Sequence, residues 1–266
     1  MIDDFNSVLC RLYTNKNFRD LFYINAELAL NDFKLQPNEK LSLIRLDKSE
    51  VESFSESLKY KLLGSILRNY GLLFLHYYEE FFKFFERAYE LLPKSPSESL
   101  FAYNLRIGEY FLENIPNSIL PRFVYDLTNY LVLKLKAKLN LMPIYEVQCK
   151  KIESNHKPIL YPTVYIQTYQ YDPEKLLKIL ESSTKVSQDE VQQELCSYLI
   201  SANGMIKVFK LSEGFFEVMS LFNGSFTLKS ILEFLKSKYH YTNDDVSYIK
   251  NELIPKCVEQ KWIYFT

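Results

Sequence analysis

Apolar residues recur at helical spacing through most of the first 140 residues. In segment 3–14, for instance, Phe5, Val8, Leu9 and Leu12 fall on one helical face. Comparable patterns continue to about residue 140, and no run of useful length has the two-residue period of a strand. A long aromatic helix is predicted from about Leu72 to Leu92. The first part of the chain is therefore predicted to be all helical.

The pattern changes after residue 140. Residues 141–160 include Pro143 and Pro158 and are predicted to form a connector, and Thr163–Tyr171 has the composition of a strand. Asn203-Gly204 then lies between two strand-like runs, which is the strongest short-range signal for a hairpin with a type I′ turn. Three helical patterns follow, at Glu213–Phe222, Leu228–Tyr239 and Asn243–Gln260.

These elements predict an α+β protein. A helical domain over residues 1–140 and a connector over 141–160 precede a small winged-helix-like domain over 161–266. In that small domain we expect a three-stranded antiparallel sheet and three helices. Such a module either binds nucleic acid or takes up a peptide as an added strand.

Composition and charge narrow the function classes. Apolar residues make up 47% and charged residues 24%, as in a globular protein, and 21 Tyr and 20 Phe provide sizeable cores. The formal net charge is −1, which gives little support to a dedicated DNA-binding protein. The N-terminus lacks a signal-peptide pattern, and no stretch predicts a membrane-spanning helix, so a cytoplasmic location is expected.

No catalytic or metal-binding motif is present. The four cysteines, Cys10, Cys149, Cys196 and Cys257, lack zinc-site spacing, and we expect reduced structural thiols. His76 and Glu80 are four residues apart on the predicted aromatic helix and would share a face. Without a third ligand they are expected to form an ordinary helix pair, so no metal or other cofactor is expected in this chain.

The last predicted strand is the candidate site. If the sheet order follows the chain, this strand is an edge whose free N–H and C=O groups can bind an extended peptide. Two interpretations remain open for its lysines, which either protect the edge or attract an acidic peptide. The peptide would lie between this strand and the outer margin of the last helix. The candidate peptide-binding residues are Ile206, Lys207, Val208, Phe209, Lys210, Leu211, Val246, Ile249 and Leu253.

Two regions resemble known families. The segment Leu211–Leu228, with Asn223-Gly224, Thr227-Leu228 and a closing Trp262-Ile263, resembles the PqqD-like precursor-peptide recognition element. The N-terminal part is similar to the helical half of partner proteins of multinuclear non-heme iron-dependent oxidative enzymes of the DUF692 group. That similarity is carried by Leu12-Tyr13-Thr14-Asn15, Arg19, Phe22, Leu30, Phe33, Leu35, Glu39, Phe54–Leu58, Lys61 and Leu120–Tyr130. Leu131 departs from the family pattern, which has Glu after the Tyr.

The resemblance implies a non-catalytic subunit of an oxidoreductase heterodimer. The companion would be a DUF692-type oxidase that carries the iron, and this chain would bind the leader of a ribosomally made precursor peptide. Oxidation of peptide cysteines to oxazolone and thioamide groups, as in methanobactin biosynthesis, is the first choice, and no nucleic-acid or membrane partner is implied. The main alternative is a winged-helix transcriptional regulator. Its recognition helix would need a basic face, whereas 243–260 carries more acids than lysines.

Overall fold

The computed structural model describes residues 4–95, 97–139, 152–183, 186–203 and 205–266. The chain forms two compact units, one of Met1–Thr128 with Leu180–Val186 and the other of Asn129–Ile179 with Ser187–Thr266. Helices make up the N-terminal region, and a three-stranded antiparallel sheet lies in the second unit. The predicted α+β class is therefore confirmed.

Every regular element in the described residues up to 139 is helical. These helices are α1 (Asp4–Thr14), α2 (Lys16–Ile24), α3 (Ala26–Leu30), α4 (Pro37–Ile44), α5 (Lys48–His76), α6 (Tyr78–Leu91), α7 (Leu100–Asn114) and α8 (Arg122–Leu139), with a 3₁₀ turn at Ile115–Asn117. Local caps define their starts. The Asp47 side chain accepts from the Glu50 N–H at the start of α5, for example, and Pro37 occupies the first turn of α4.

The first helices pack around a buried aliphatic and aromatic core that includes Val8, Leu12, Phe22 and Leu43. Arg19 is buried beside this core with 9% exposure. One terminal nitrogen of its guanidinium donates to the Leu12 carbonyl at 2.8 Å and to Ser55 Oγ at 2.9 Å. Through these two hydrogen bonds Arg19 of α2 links α1 and α5. Its positive charge lies at the C-terminal end of α1, where the helix dipole favours a cation.

The predicted aromatic helix is divided in the structure. α5 ends at His76, Tyr77 has φ −134° and ψ 48°, and α6 begins at Tyr78. The break allows Phe74 on α5 and Phe81 on α6 to meet with ring centroids 5.6 Å apart, and both contact Phe111 of α7. Burial of these rings outweighs the continuity of the helix.

The second unit contains β1 (Pro158–Leu160), β2 (Val164–Tyr169), β3 (Cys196–Asn203), β4 (Met205–Leu211) and β5 (Ile263–Phe265). β2, β3 and β4 form the antiparallel sheet in that order. α9 (Pro173–Ser182) and a 3₁₀ turn at Gln188–Glu190 lie between β2 and β3. After β4 come α10 (Glu213–Ser220), α11 (Leu228–Tyr239) and α12 (Asn243–Tyr248), then a π-helical turn at Ile249–Leu253 and α13 (Ile254–Glu259).

The β3–β4 register differs by one residue from that of a two-residue Asn-Gly turn. Such a turn would pair Ala202 with Met205, whereas Ala202 pairs with Ile206. Gly204 itself lies outside the described residues. The observed register places Ile200 beside Val208, where the shifted one would bury a lysine beside Ile200. Apolar pairing across the strands therefore decides the register.

Both faces of the sheet are covered. Val164, Ile166 and Leu199 pack with α10–α13, whereas Tyr198, Ile200 and Ala202 pack with Tyr130 and Ala137 of α8. Residues 129–139 consequently belong to the second unit. The division falls inside α8, after Thr128, and not in the predicted connector, because these α8 side chains complete the sheet's core.

Part of the predicted connector is a strand. β1 pairs antiparallel with β5, so Pro158–Leu160 form a two-stranded sheet with the end of the chain. Residues 140–151 of the connector lie outside the described residues. Among the described residues, none of the helices combines the length and apolar character needed to cross a bilayer.

Gly224 lies in the loop before α11, where its backbone packs directly against β1. Its φ is +78°, which favours glycine, and an added Cβ would lie 2.9 Å from Ile159 Cδ1. Its N–H donates to the Pro158 carbonyl at 3.1 Å. Thr227 then caps α11 by accepting from the Ser230 N–H, and Leu228 is fully buried. The Gly-x-x-Thr-Leu pattern therefore has a structural cause at each position.

The last helix contains a wide turn ahead of a proline. The Ile254 N–H donates to the Ile249 carbonyl, which is the π-helical pattern, and Pro255 follows. A proline ring clashes with the carbonyl four residues earlier in a regular α-helix, and the wide turn relieves that clash.

Candidate functional site

β4 is an edge strand of the three-stranded sheet. It pairs with β3 along its length, and among the described residues no strand pairs with its other side. Edge strands of this kind present backbone N–H and C=O groups that another strand can bind. The last strand of the sheet is therefore at its edge, as the sequence predicts.

A hydrogen bond on the far side of β3 determines which backbone groups of β4 point outward. Ala202 donates its N–H to the Thr163 carbonyl at 3.2 Å, on the β2 side of β3. Because backbone groups alternate in direction along an antiparallel strand, Ser201 and Leu199 point to β4. Their partners Lys207 and Phe209 are therefore bonded to β3.

The remaining residues of β4 point their backbone groups away from the sheet. By the same alternation, the outward N–H and C=O groups are those of Ile206, Val208 and Lys210. An incoming strand would find three regularly spaced donor and acceptor sites along this edge.

Side chains of β4 alternate between the two covered faces. Ile206 and Val208 are half-buried against the core that includes Tyr130 and Tyr198. On the other face Lys207 is exposed, Phe209 is 37% exposed and Leu211 is buried. The Phe209 ring lies 5.0 Å from that of Trp262, in an edge-to-face arrangement. An aromatic patch therefore borders the open edge.

Lys210 belongs to an internal polar network. Its Nζ lies 2.8 Å from Asp172 Oδ2 and 2.8 Å from Glu194 Oε1. Asp172 has a 5% exposed side chain and also accepts from Tyr198 at 2.7 Å. Lys175 forms a further ion pair with Glu194. The network fastens the end of β4 to both ends of the β2–β3 connection, since Asp172 follows β2 and Glu194 precedes β3.

The pKa values in this network move in the directions that ion pairing requires. Burial opposes ionisation of Asp172, but hydrogen bonds from Lys210 and Tyr198 outweigh it and hold the pKa of that carboxyl below its usual value. Hydrogen bonds to Asp172 and Glu194 raise the pKa of Lys210. Burial and the neighbouring Asp172 raise the pKa of Tyr198. At neutral pH Asp172 and Lys210 are therefore charged, and Tyr198 keeps its proton and donates it to Asp172.

Lys207 has different surroundings. It is exposed, and no ion pair or hydrogen bond joins its side chain to any described residue. Of the two lysines predicted to influence a peptide, only Lys207 therefore has a charge free to meet one.

The three candidate residues of the last helix occupy different environments. Ile249 is 3% exposed in the same core as Leu211, and Leu253 is half-buried against that core. Val246 is half-exposed on α12. Ile249 consequently has almost no surface for a peptide, because the apolar stripe of the helix faces the core. Leu211 of β4 is buried in the same core and is equally inaccessible.

The exposed face of the last helix is not basic. Lys250 and Lys256 are exposed, and Lys256 lies 3.6 Å from Glu252. Asp245 is part of the capping box with Thr242, and Asp244 is exposed beside it. A recognition helix for DNA requires a positive face that these residues do not form.

His76 and Glu80 are separated by the break at Tyr77 and lie on different helices. His76 Nε2 lies 2.8 Å from the Leu180 carbonyl, and Tyr77 donates its hydroxyl to the Val186 carbonyl at 3.0 Å. In the described residues, no group of three or more His, Cys, Asp and Glu could hold a metal ion.

The described cysteines, Cys10, Cys196 and Cys257, are free thiols. Cys257 is fully buried, and burial raises the pKa of its thiol to about 12. Such a thiol is chemically inert at neutral pH. Cys149 lies outside the described residues.

Several residues around the edge were not identified from the sequence. Asp172, Glu194 and Tyr198 hold Lys210, and Trp262 supports Phe209. Asp172 precedes Pro173 at the start of α9, a position typical of a helix cap. That signal predicts the cap but not the lysine, which lies 38 residues away in the chain.

No protein-family model and no curated protein matches this chain.

Proposed function

We propose that this chain is the non-catalytic partner subunit of an iron-dependent oxidase complex in the cytoplasm. It binds the leader of a ribosomally made precursor peptide as an added strand on β4. The companion is a DUF692-type oxidase that carries the iron and oxidises cysteines of the peptide. Formation of oxazolone and thioamide groups, as in methanobactin biosynthesis, is the preferred chemistry.

The free edge of β4 is the observation that supports this proposal most strongly. Ile206, Val208 and Lys210 direct their backbone groups outward, and strand addition uses such groups for affinity. Neighbouring side chains supply specificity, and here they comprise a free cation at Lys207 and an aromatic patch at Phe209 and Trp262.

Exposed aliphatic side chains in the first unit support a second binding surface. Five of them lie on α2, α3 and α4, at Leu21, Ile24, Leu28, Leu41 and Ile44. Ile24 is 83% exposed and Leu28 is 60% exposed. Large exposed aliphatic groups in one stretch of chain are typical of protein-binding surfaces, and we assign this stretch to the companion enzyme.

Co-expression tests the proposal. The chain is produced together with a DUF692-type iron enzyme and a short cysteine-containing precursor peptide. Size-exclusion chromatography should give a heterodimer at micromolar concentration, and peptide mass should change only when both proteins are present. A companion enzyme that elutes separately and modifies the peptide equally well alone would overturn the proposal.

A further inference from the structure

The two charged residues of β4 differ in what they can offer a ligand. Lys210 is already paired with Asp172 and Glu194 at 2.8 Å. Lys207 is exposed and makes no ion pair with the described residues. The edge therefore carries one available positive charge at a defined position in the register.

Lys207 and Phe209 share a face of the sheet and are two residues apart. Their backbone groups are bonded to β3, so an added antiparallel strand would meet them as non-hydrogen-bonded pairs. Side chains in such pairs are close, with Cα atoms about 4.5 Å apart. Each of the two residues would consequently contact one side chain of the added strand directly.

We infer that this edge selects an antiparallel peptide strand carrying a large apolar residue, any residue, and then Asp or Glu. The apolar side chain covers Phe209 and the exposed part of Trp262, and the acid pairs with Lys207. The order follows from the antiparallel direction, because a peptide running opposite to β4 reaches Phe209 first. This specificity rests on the proposed function and adds the chemical class of the peptide to it.

The two-residue spacing between the apolar residue and the acid follows from the alternation of side chains along a β-strand. Residues two apart lie on one face of a strand, whereas residues one or three apart lie on opposite faces. An acid one residue from the apolar side chain would therefore point to the face where Ile206 and Val208 are half-buried. The lysine of β4 on that face, Lys210, is already paired with Asp172 and Glu194.

A display selection tests the inference. Random twelve-residue peptides are selected on the full chain, on Lys207→Glu, on Lys178→Glu and on Val208→Pro. Lys178 is a matched control because it is an exposed lysine of α9 in the second unit with no ion pair to a described residue. Circular dichroism confirms that each variant is folded.

The expected result is enrichment of the order apolar, any, acid on the full chain and on Lys178→Glu. On Lys207→Glu the acid should give way to Lys or Arg, and single synthetic peptides should lose about two- to fivefold in affinity. Acid preference that survives Lys207→Glu, or enrichment of the reverse order, overturns the specificity while strand addition stands. Peptides enriched equally on Val208→Pro, or no enrichment on any variant, overturn both the specificity and the proposed binding mode.

Discussion

Lys207 and Lys210 look equivalent in the sequence, yet their surroundings in the folded chain differ. The pairing of Lys210 depends on Asp172 and Glu194, which lie 38 and 16 residues away along the chain. No local pattern encodes those contacts, so the sequence left two interpretations of the lysines open. The structure supports a fastening role for Lys210 and leaves Lys207 available to a ligand.

The Asp172 network should make stability depend on acid pH. Its hydrogen bonds hold the pKa of Asp172 below the unfolded value of about 3.9. The carboxylate therefore contributes its full stability above that value, and the contribution is lost as pH falls through the lower, folded pKa. We expect Asp172→Asn to cost about 1.5–3 kcal/mol of unfolding free energy at pH 7 and much less near pH 2.

Urea unfolding at the two pH values measures this difference. Asp189→Asn is the control, since Asp189 is an exposed carboxylate of the same unit with no ion pair to a described residue. That variant should match the parent protein at both pH values. A destabilisation by Asp172→Asn of equal size at pH 7 and pH 2 would contradict the ionic role of the carboxylate.

At the level of elements, the sequence predicted helices and strands correctly where short-range patterns determine them. The amphipathic pattern of residues 3–14 corresponds to α1, and the pattern predicted at Leu228–Tyr239 has the bounds of α11. The pairing of β1 with β5 was missed, because its strands are short and about a hundred residues apart. The break at Tyr77 was also missed, since packing of Phe74 against Phe81 produces it and the local sequence has no helix breaker.

Gly224 should be intolerant of a side chain. Alanine at this position would combine a φ of +78° with a contact of 2.9 Å to Ile159, and we expect a loss of about 1–3 kcal/mol in unfolding free energy. Gly64 provides the opposite case. It lies on an exposed position of α5, with nothing within 4 Å of an added Cβ.

Gly64→Ala should therefore stabilise the chain by about 0.5–1 kcal/mol through helix propensity. Thermal unfolding of the two single variants measures both changes in unfolding free energy, the loss for Gly224→Ala and the gain for Gly64→Ala. A neutral Gly224→Ala would show that the loop before α11 does not need its left-handed conformation.

Val208→Pro should weaken peptide binding without unfolding the sheet. The Val208 N–H points outward, so proline removes a donor from the ligand side and none from the β3 ladder. One lost hydrogen bond corresponds to about 0.5–1.5 kcal/mol, or roughly a two- to twelvefold rise in Kd. Phe209→Pro, in contrast, removes a ladder bond to β3 and should destabilise the fold.

Val208→Ala is the control for this pair of variants. It shortens the same side chain and keeps the N–H. Fluorescence anisotropy with a labelled peptide should place Val208→Ala close to the parent protein, and circular dichroism should show Val208→Pro folded. Equal affinities for Val208→Pro and Val208→Ala would exclude a backbone contribution at this position.

At the scale of the whole molecule, the two units carry different candidate surfaces. The edge of β4 lies in the second unit, and the exposed aliphatic groups of α2–α4 lie in the first. Changing Ile24 and Leu28 to Lys should abolish the heterodimer with the companion enzyme. Their side chains are 83% and 60% exposed, so the substitutions remove little core packing. The free energy of unfolding should therefore change by less than about 1 kcal/mol.

Size-exclusion chromatography of the co-expressed pair measures this effect. Leu195→Lys is the matched control, since Leu195 is a 76% exposed leucine of the second unit. The heterodimer should persist in the control. Persistence in the double variant would place the companion's binding surface elsewhere on the chain.

Amide hydrogen exchange along β4, with and without a saturating peptide, tests strand addition most directly. In the free protein the amides of Lys207 and Phe209 should already exchange slowly, because they are bonded to β3. Bound peptide should slow the amides of Ile206, Val208 and Lys210 and leave their neighbours nearly unchanged. A peptide that binds without slowing these three alternate amides would contradict its addition to the edge of β4.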